Sequence, residues 1–212
     1  MSPQHTATLQ DILRRVAVVP VLTIAADTDA VGLAKALAAG GLNVLEITLR
    51  TSEAMTAIRA IVNAVPTAVV GAGTILDADQ GMKAIHSGAK FLVSPGITPS
   101  LAQAAERWPV PFLPGVATAS EAMALRDLGY RTLKFFPAEA AGGVAALKGL
   151  GAPLADLMFC PTGGIDAAKA PSYLALPNVI AVGGSWVAPA TAVAAKDWAA
   201  ITTLAAAAAN LR

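Results

Sequence analysis

Two charged residues sit in the middle of segments that otherwise read as buried strands. Glu46 interrupts the apolar run VLEITLR, and Lys134 interrupts TLKFFP. Side chains alternate across a strand, so Val44, Glu46, Thr48 and Arg50 share one face of the first, and Thr132, Lys134 and Phe136 share one face of the second. The more apolar faces, Leu45, Ile47 and Leu49 in one strand and Leu133 and Phe135 in the other, suit packing against helices. That turns Glu46, Arg50 and Lys134 toward the interior. Buried charges are costly, and a buried pair often adds no net stability. Two such residues, with an arginine nearby, therefore point to chemistry rather than to a purely structural ion pair. A lysine desolvated beside Phe135 and Phe136 has its charged form disfavoured, and the neutral amine can attack a carbonyl to form a Schiff base. A carboxylate in the same cavity can move protons, directly or through one water.

Two glycine pairs complete the set. CPTGGID follows one strand signal and VGGSW the next. Gly163, Gly164, Gly183 and Gly184 allow close backbone approach, while Thr162 and Ser185 add hydroxyls. Backbone N–H groups at such turns are suited to an anion, so a phosphorylated small molecule is the expected ligand. GAGT, ending in Thr74, could present a hydroxyl and N–H groups to a carboxylate. SPG at Ser94, Pro95 and Gly96, and PGV around Gly115, are expected to shape the rim. GAGT lacks the further glycine and acidic partner of a dinucleotide fingerprint. Two histidines, His5 and His86, and one cysteine make no metal-ligand pattern, so neither metal nor cofactor is expected. Cys160 reads as a small buried hydrophobe.

The elements that must position these residues alternate along the chain. Strand signals begin at Val16, Asn43, Thr67, Lys90, Val110, Arg131, Leu157 and Asn178, and recur about every two dozen residues, each followed by a helix signal. Helices are expected over VGLAKALAAG, ending on Gly40, and over SEAMALRDLGY, with Ser120 as its cap. An extra N-terminal helix, TLQDILRR, precedes the first strand, and an alanine run around Ala205 forms the last helix. Eight βα units predict an α/β fold closed as a compact (β/α)8 TIM barrel, a doubly wound open sheet being the alternative. No linker or low-complexity tail interrupts residues 1–212, so one domain is expected. Barrel enzymes keep their sites at the C-terminal ends of the strands, where these charges and glycines fall.

Composition narrows the class further. Of 212 residues, 55% are hydrophobic and 14% charged, which excludes intrinsic disorder. A net charge of +1, with no basic run, argues against nucleic acid as a partner. Mean hydropathy is +0.60, yet no apolar stretch reaches the roughly 18–20 residues of a membrane span. The opening MSPQHTATLQDILRR has no apolar signal region, and a single cysteine suits a reducing cytoplasm. So apolar a soluble chain is expected to cover part of its surface with copies of itself.

GGLNVLEITLRT, VVGAGTILD, FLVSPGIT, LKFFPAEAAGG, FCPTGGI and VGGSW, in this order, strongly resemble the bacterial 2-keto-3-deoxy-6-phosphogluconate (KDPG) aldolases, a family that includes enzymes acting on 4-hydroxy-2-oxoglutarate. The resemblance spans Val16 to Trp186. It implies a metal-independent class I aldolase of the Entner–Doudoroff pathway, on a (β/α)8 barrel that assembles as a homotrimer. Lys134 matches the Schiff-base lysine and Glu46 the acid/base. Arg50 and Thr74 match positions that bind the keto-acid carboxylate, and Pro95 and Phe136 match pocket residues. Gly163, Gly164, Gly184 and Ser185 match the phosphate end, with Thr162 beside them. One departure is Ala141, where the family pattern more often has Asn. The rival readings are 4-hydroxy-2-oxoglutarate or 2-dehydro-3-deoxy-6-phosphogalactonate as substrate, a metal-dependent aldolase, and a non-catalytic phosphosugar-binding barrel.

Overall fold

The computed structural model describes residues 5–212. All strand pairings within them are parallel. A curled sheet of six strands runs in the order β5-β4-β3-β2-β1-β9, formed by β1 (Val18–Leu22), β2 (Val44–Thr48), β3 (Val69–Gly73), β4 (Phe91–Val93), β5 (Phe112–Leu113) and β9 (Val182–Gly184). A second sheet holds β6 (Gly115–Val116), β7 (Thr132–Phe135) and β8 (Met158–Pro161). Each of the eight sequence signals contains a strand. The fifth is divided into β5 and β6 at Pro114, which has no N–H to give to a ladder. Isolated parallel bridges, Phe159↔Val179 and Thr162↔Gly183, connect β8 to the chain entering and forming β9.

Except between β5 and β6, helices separate the strands because consecutive parallel strands need a crossover. They are α1 (Thr6–Leu13), α2 (Ala30–Ala39), α3 (Ala54–Ala64), α4 (Ala78–His86), α5 (Pro99–Ala105), α6 (Ala119–Asp127), α7 (Gly143–Gly151), α8 (Ala170–Leu174), α9 (Ala190–Ala194) and α10 (Trp198–Ala209). Side-chain caps define several starts. Asp29, Asp77, Thr98 and Asp197 accept hydrogen bonds from the N–H groups of Gly32, Gln80, Leu101 and Ala200. Ser120 is not the cap of α6. Thr118 fills that place, in a reciprocal capping box with Glu121, because Glu121 lies at the third helical position, from which a carboxylate reaches back. Likewise Gly40 closes α2 with φ −82°, and the left-handed residue is Gly41 at φ +93°.

Inside the first sheet the register aligns Val21 with Glu46, Glu46 with Gly71, and Gly71 with Phe91. In the second, Gly115 aligns with Lys134 and Lys134 with Cys160. Register partners share a face, so these residues form rows on the inner surface. The outward rows, including Leu45, Ile47, Leu92, Leu133 and Phe135, are buried against helices. α1 buries Leu9, Ile12 and Leu13, and Gln10 Nε2 donates to Thr132 Oγ1 at 3.1 Å, fastening this helix to the start of β7. The inner rows must fit a limited space, and Gly71 makes room for an aromatic ring. A Cβ there would lie 2.3 Å from the Phe91 ring. Gly71→Ala is therefore expected to destabilise the fold by about 1–3 kcal/mol through overpacking. Urea denaturation checks this, and pairing the change with Phe91→Leu should recover part of the loss.

Candidate active site

β2 and β7 bring their charged residues together across the interior. Lys134 Nζ lies 3.0 Å from Glu46 Oε1 and 3.4 Å from Oε2. The residues are only 5% and 3% exposed, so the pair is nearly sealed from bulk water. At this separation and burial the attraction is strong, but so is the cost of removing both groups from water. The Phe136 ring lies 5.4 Å from Nζ, within cation–π range. An amine and a carboxylate in hydrogen-bond contact can exchange a proton, which leaves a neutral nucleophile beside an acid.

The carboxylate is placed by a residue that the sequence pattern does not flag. A Cβ at Gly73 would fall 2.1 Å from Glu46 Oε1 and 2.7 Å from its Cδ. The side chain of Glu46 leans along β3 into the volume that Gly73 leaves open. Thr74 follows immediately with φ +63°, a strained conformation for a β-branched residue, of a kind that clusters at functional sites and costs about 1–3 kcal/mol. The GxG of GAGT thus serves packing in the interior: Gly71 accommodates Phe91 and Gly73 accommodates Glu46.

The remaining sequence candidates fall on the strand ends and loops. Arg50 lies beyond the end of β2. Pairing ends at Thr48, the last ladder bond being Leu49 N–H to Gly73 O at 2.8 Å. The chain then turns toward α3, so strand alternation no longer governs Arg50, which is exposed. Its guanidinium makes no ion pair or hydrogen bond among the described residues. Pro95 lies half-buried in the bend after β4, and Phe136 is half-buried directly after β7.

The glycine loops follow β8 and β9. Thr162 is buried and bridges to Gly183. Gly163 and Gly164 adopt φ +105° and +78°, a region in which other residues are strained. The carbonyls of Thr162 and Gly163 accept from Ala138 N–H at 2.8 Å and Glu139 N–H at 3.1 Å, and the Gly164 carbonyl accepts from Lys169 Nζ at 3.1 Å. The N–H groups of Gly164 and Ser185 donate to no acceptor among the described residues. Unpaired backbone donors of this kind suit an anion. Gly184 ends β9 beneath the Trp186 ring, and Ser185 is exposed. A cavity of about 630 Å³ adjoins it, lined by Val21, Thr23, Leu33, Trp186 and Pro189 among others. Its size suits a small ligand. Lys134 and Glu46 do not line it.

Among the described residues no cluster of His, Cys, Asp or Glu could hold a metal ion, and no helix is long and apolar enough to cross a membrane. Cys160 shares the interior row with Lys134. Burial is the main cause that pushes its thiol up to about 12; the Glu46 charge adds to this and the Lys134 charge opposes it.

A buried amine–carboxylate pair inside parallel strands, with unpaired backbone N–H groups in the loops after two of those strands, has the composition of a Schiff-base lyase site. A family model described as KDPG and KHG aldolase matches residues 9–204, and the chain belongs to that family. It is 48% identical over 205 residues to a 2-dehydro-3-deoxy-phosphogluconate aldolase of Pseudoalteromonas atlantica, covering 97% of this chain and 95% of that protein. The fold matches the Zymomonas mobilis 2-keto-3-deoxy-6-phosphogluconate aldolase with 3-phosphoglycerate at a TM-score of 0.93 and 46% identity, over 98% of this chain and 97% of that one. A KDPG aldolase of Legionella pneumophila, with pyruvate captured as a covalent carbinolamine, matches at a TM-score of 0.92 and 42% identity, over 95% and 98% of the two chains.

The Cys160 thiol titrates higher folded than its ordinary value of 9.0. Its contribution to stability is therefore full below pH 9 and is lost as pH rises toward about 12. Over that window the unfolding free energy of the wild type should fall more steeply than that of Cys160→Ala, as denaturant titrations at stepped pH will measure.

Proposed function

We propose that this protein is a class I aldolase that cleaves 2-dehydro-3-deoxy-6-phosphogluconate to pyruvate and D-glyceraldehyde 3-phosphate. The observation that carries the reading is the 3.0 Å contact between Lys134 Nζ and Glu46 Oε1 inside a nearly closed interior. Two titratable groups of opposite kind, buried where neither is needed to pack the core, fit an amine nucleophile with its proton carrier.

The steps follow from those two groups. Lys134 passes a proton to Glu46, and the neutral amine adds to the C2 ketone of the substrate. The resulting carbinolamine loses water, with Glu46 supplying the proton, and becomes a protonated imine. Glu46, as carboxylate, then removes the C4 hydroxyl proton, directly or through one water. The C3–C4 bond breaks, its electron pair moves into the imine to form an enamine, and glyceraldehyde 3-phosphate leaves. Protonation of the enamine at C3 and hydrolysis of the imine release pyruvate and restore the amine. Arg50 and Thr74 bind the substrate carboxylate, Arg50 through a forked donor pair, and Pro95 and Phe136 flank the pyruvyl carbons. Thr162, Gly163, Gly164, Gly184 and Ser185 hold the phosphate, a role supported by the unpaired N–H groups of both loops. The chemistry needs no metal and no cofactor.

We further propose that the two parallel sheets are arcs of one (β/α)8 barrel within a single domain, 1–212, with α1 as an added N-terminal helix. The bridges from β8 to β9 and the single residue between β5 and β6 support closure. A cytoplasmic homotrimer is the proposed state. Leu76, Met123 and Leu128, exposed at 56%, 55% and 50%, give copies an apolar surface to cover.

The family description names a second substrate, and that alternative is the same chemistry on 4-hydroxy-2-oxoglutarate. The cradle of backbone donors favours the phosphorylated compound, and kcat/KM for the two substrates discriminates them. Borohydride added with pyruvate should reduce the imine and attach a pyruvyl-derived mass to the peptide that contains Lys134. An adduct on another lysine, or none, overturns the mechanism.

A further inference from the structure

We propose that Glu139 is a positioning residue for the phosphate loop, holding Gly163 and Gly164 in the conformation that presents their N–H groups to the substrate. The inference rests on the aldolase reading above and assigns a task to a residue outside it. Glu139 lies in the turn between Phe136 and α7. Its Oε1 accepts from the hydroxyl of Tyr173, a residue fully buried in α8. Its Oε2 pairs with Lys169 Nζ at 2.8 Å, and the same ammonium donates to Gly164 O at 3.1 Å. The backbone N–H of Glu139 donates to Gly163 O at 3.1 Å, and that of its neighbour Ala138 to Thr162 O at 2.8 Å.

Three successive carbonyls of the loop are thus held by Ala138, Glu139 and a lysine that Glu139 itself holds. Fixing those carbonyls on one side of the loop directs the glycine N–H groups away from them. Contact is also steric: a Cβ at Gly164 would lie 2.8 Å from Glu139 Cβ and Cγ. Charge matters as well. A lone carboxylate beside an anion site would repel phosphate, and Lys169 neutralises it. The carboxylate of Glu139 is held below its ordinary range, first by Lys169 and then by Tyr173, so it stays ionised as an acceptor for both.

The test compares two reactions. KDPG cleavage uses the phosphate loop, whereas exchange of the pyruvate C3 protons with solvent uses Lys134 and Glu46 but no phosphate contact. The readout is the ratio of KM for KDPG to KM for pyruvate. Glu139→Ala should raise this ratio about ten-fold, the scale of one lost charge-assisted hydrogen bond. Glu139→Gln keeps one acceptor oxygen, enough for Tyr173 or Lys169 but not for both in this arrangement, and should raise the ratio less, to within roughly three-fold of wild type. Tyr173→Phe, which keeps the buried ring, should raise it in the same direction even if Glu139→Ala folds poorly. A ratio unmoved in Glu139→Ala and Tyr173→Phe, or an equal rise in both KM values, overturns the inference alone. A wild type that cleaves no KDPG overturns the activity reading and this inference together.

Discussion

The contact between Lys134 and Glu46 joins residues 88 positions apart and places two ionisable groups where an α/β protein would ordinarily put apolar side chains. Removing both from water costs more than most ion pairs return. Evolutionary tolerance of that cost is understandable if the pair is the reactive centre, because low solvation is what makes an amine–carboxylate couple effective toward a carbonyl. The surrounding architecture follows from the need to keep the two groups dry and facing each other. Strand register brings Glu46 and Lys134 onto inner rows, while Leu45, Ile47, Leu133 and Phe135 face the helices.

The interior is fitted by omission as much as by addition. Gly71 yields its volume to Phe91 and Gly73 yields its volume to Glu46. Thr74 bears the strained backbone that follows. The glycines after β8 play a different part: their positive φ angles turn the loop so that its carbonyls meet donors of the 138–139 turn and of Lys169. Both uses depend on the missing side chain, one for space and the other for conformation. The buried pair and the glycine loop after β8 are connected through the chain itself, since β7 runs directly into the 138–139 turn that donates to the carbonyls of that loop.

Much of this was legible in the sequence. A charge inside an apolar strand is expensive, so Glu46 and Lys134 stand out against their neighbours, and alternation assigns them an inner face. The eight strand signals are strong because β-branched runs are bounded by glycine and proline. Alternation does not reach Arg50, because pairing ends at Thr48 and nothing in LEITLR marks that residue. Thr118 caps α6 in place of Ser120 because the reciprocal partner, Glu121, sits three residues after the threonine and only one after the serine. Division of the fifth strand at Pro114 reflects one absent N–H. The service of Gly73 to Glu46, and the bonds of Glu139 to Tyr173 and Lys169, depend on elements distant in sequence coming together in space, and no local pattern carries them.

A substitution that keeps the positive charge but removes the nucleophile separates a reactive pair from a structural one. Lys134→Arg retains a cation for Glu46, and its guanidinium cannot form an imine. Turnover of KDPG, measured beside the melting temperature of the same sample, should fall by on the order of 10⁴-fold or more while the fold is retained, as for other removed nucleophiles. Turnover within about ten-fold of wild type in that folded variant would contradict the account, because Lys134 would then serve only as the counter-charge of Glu46.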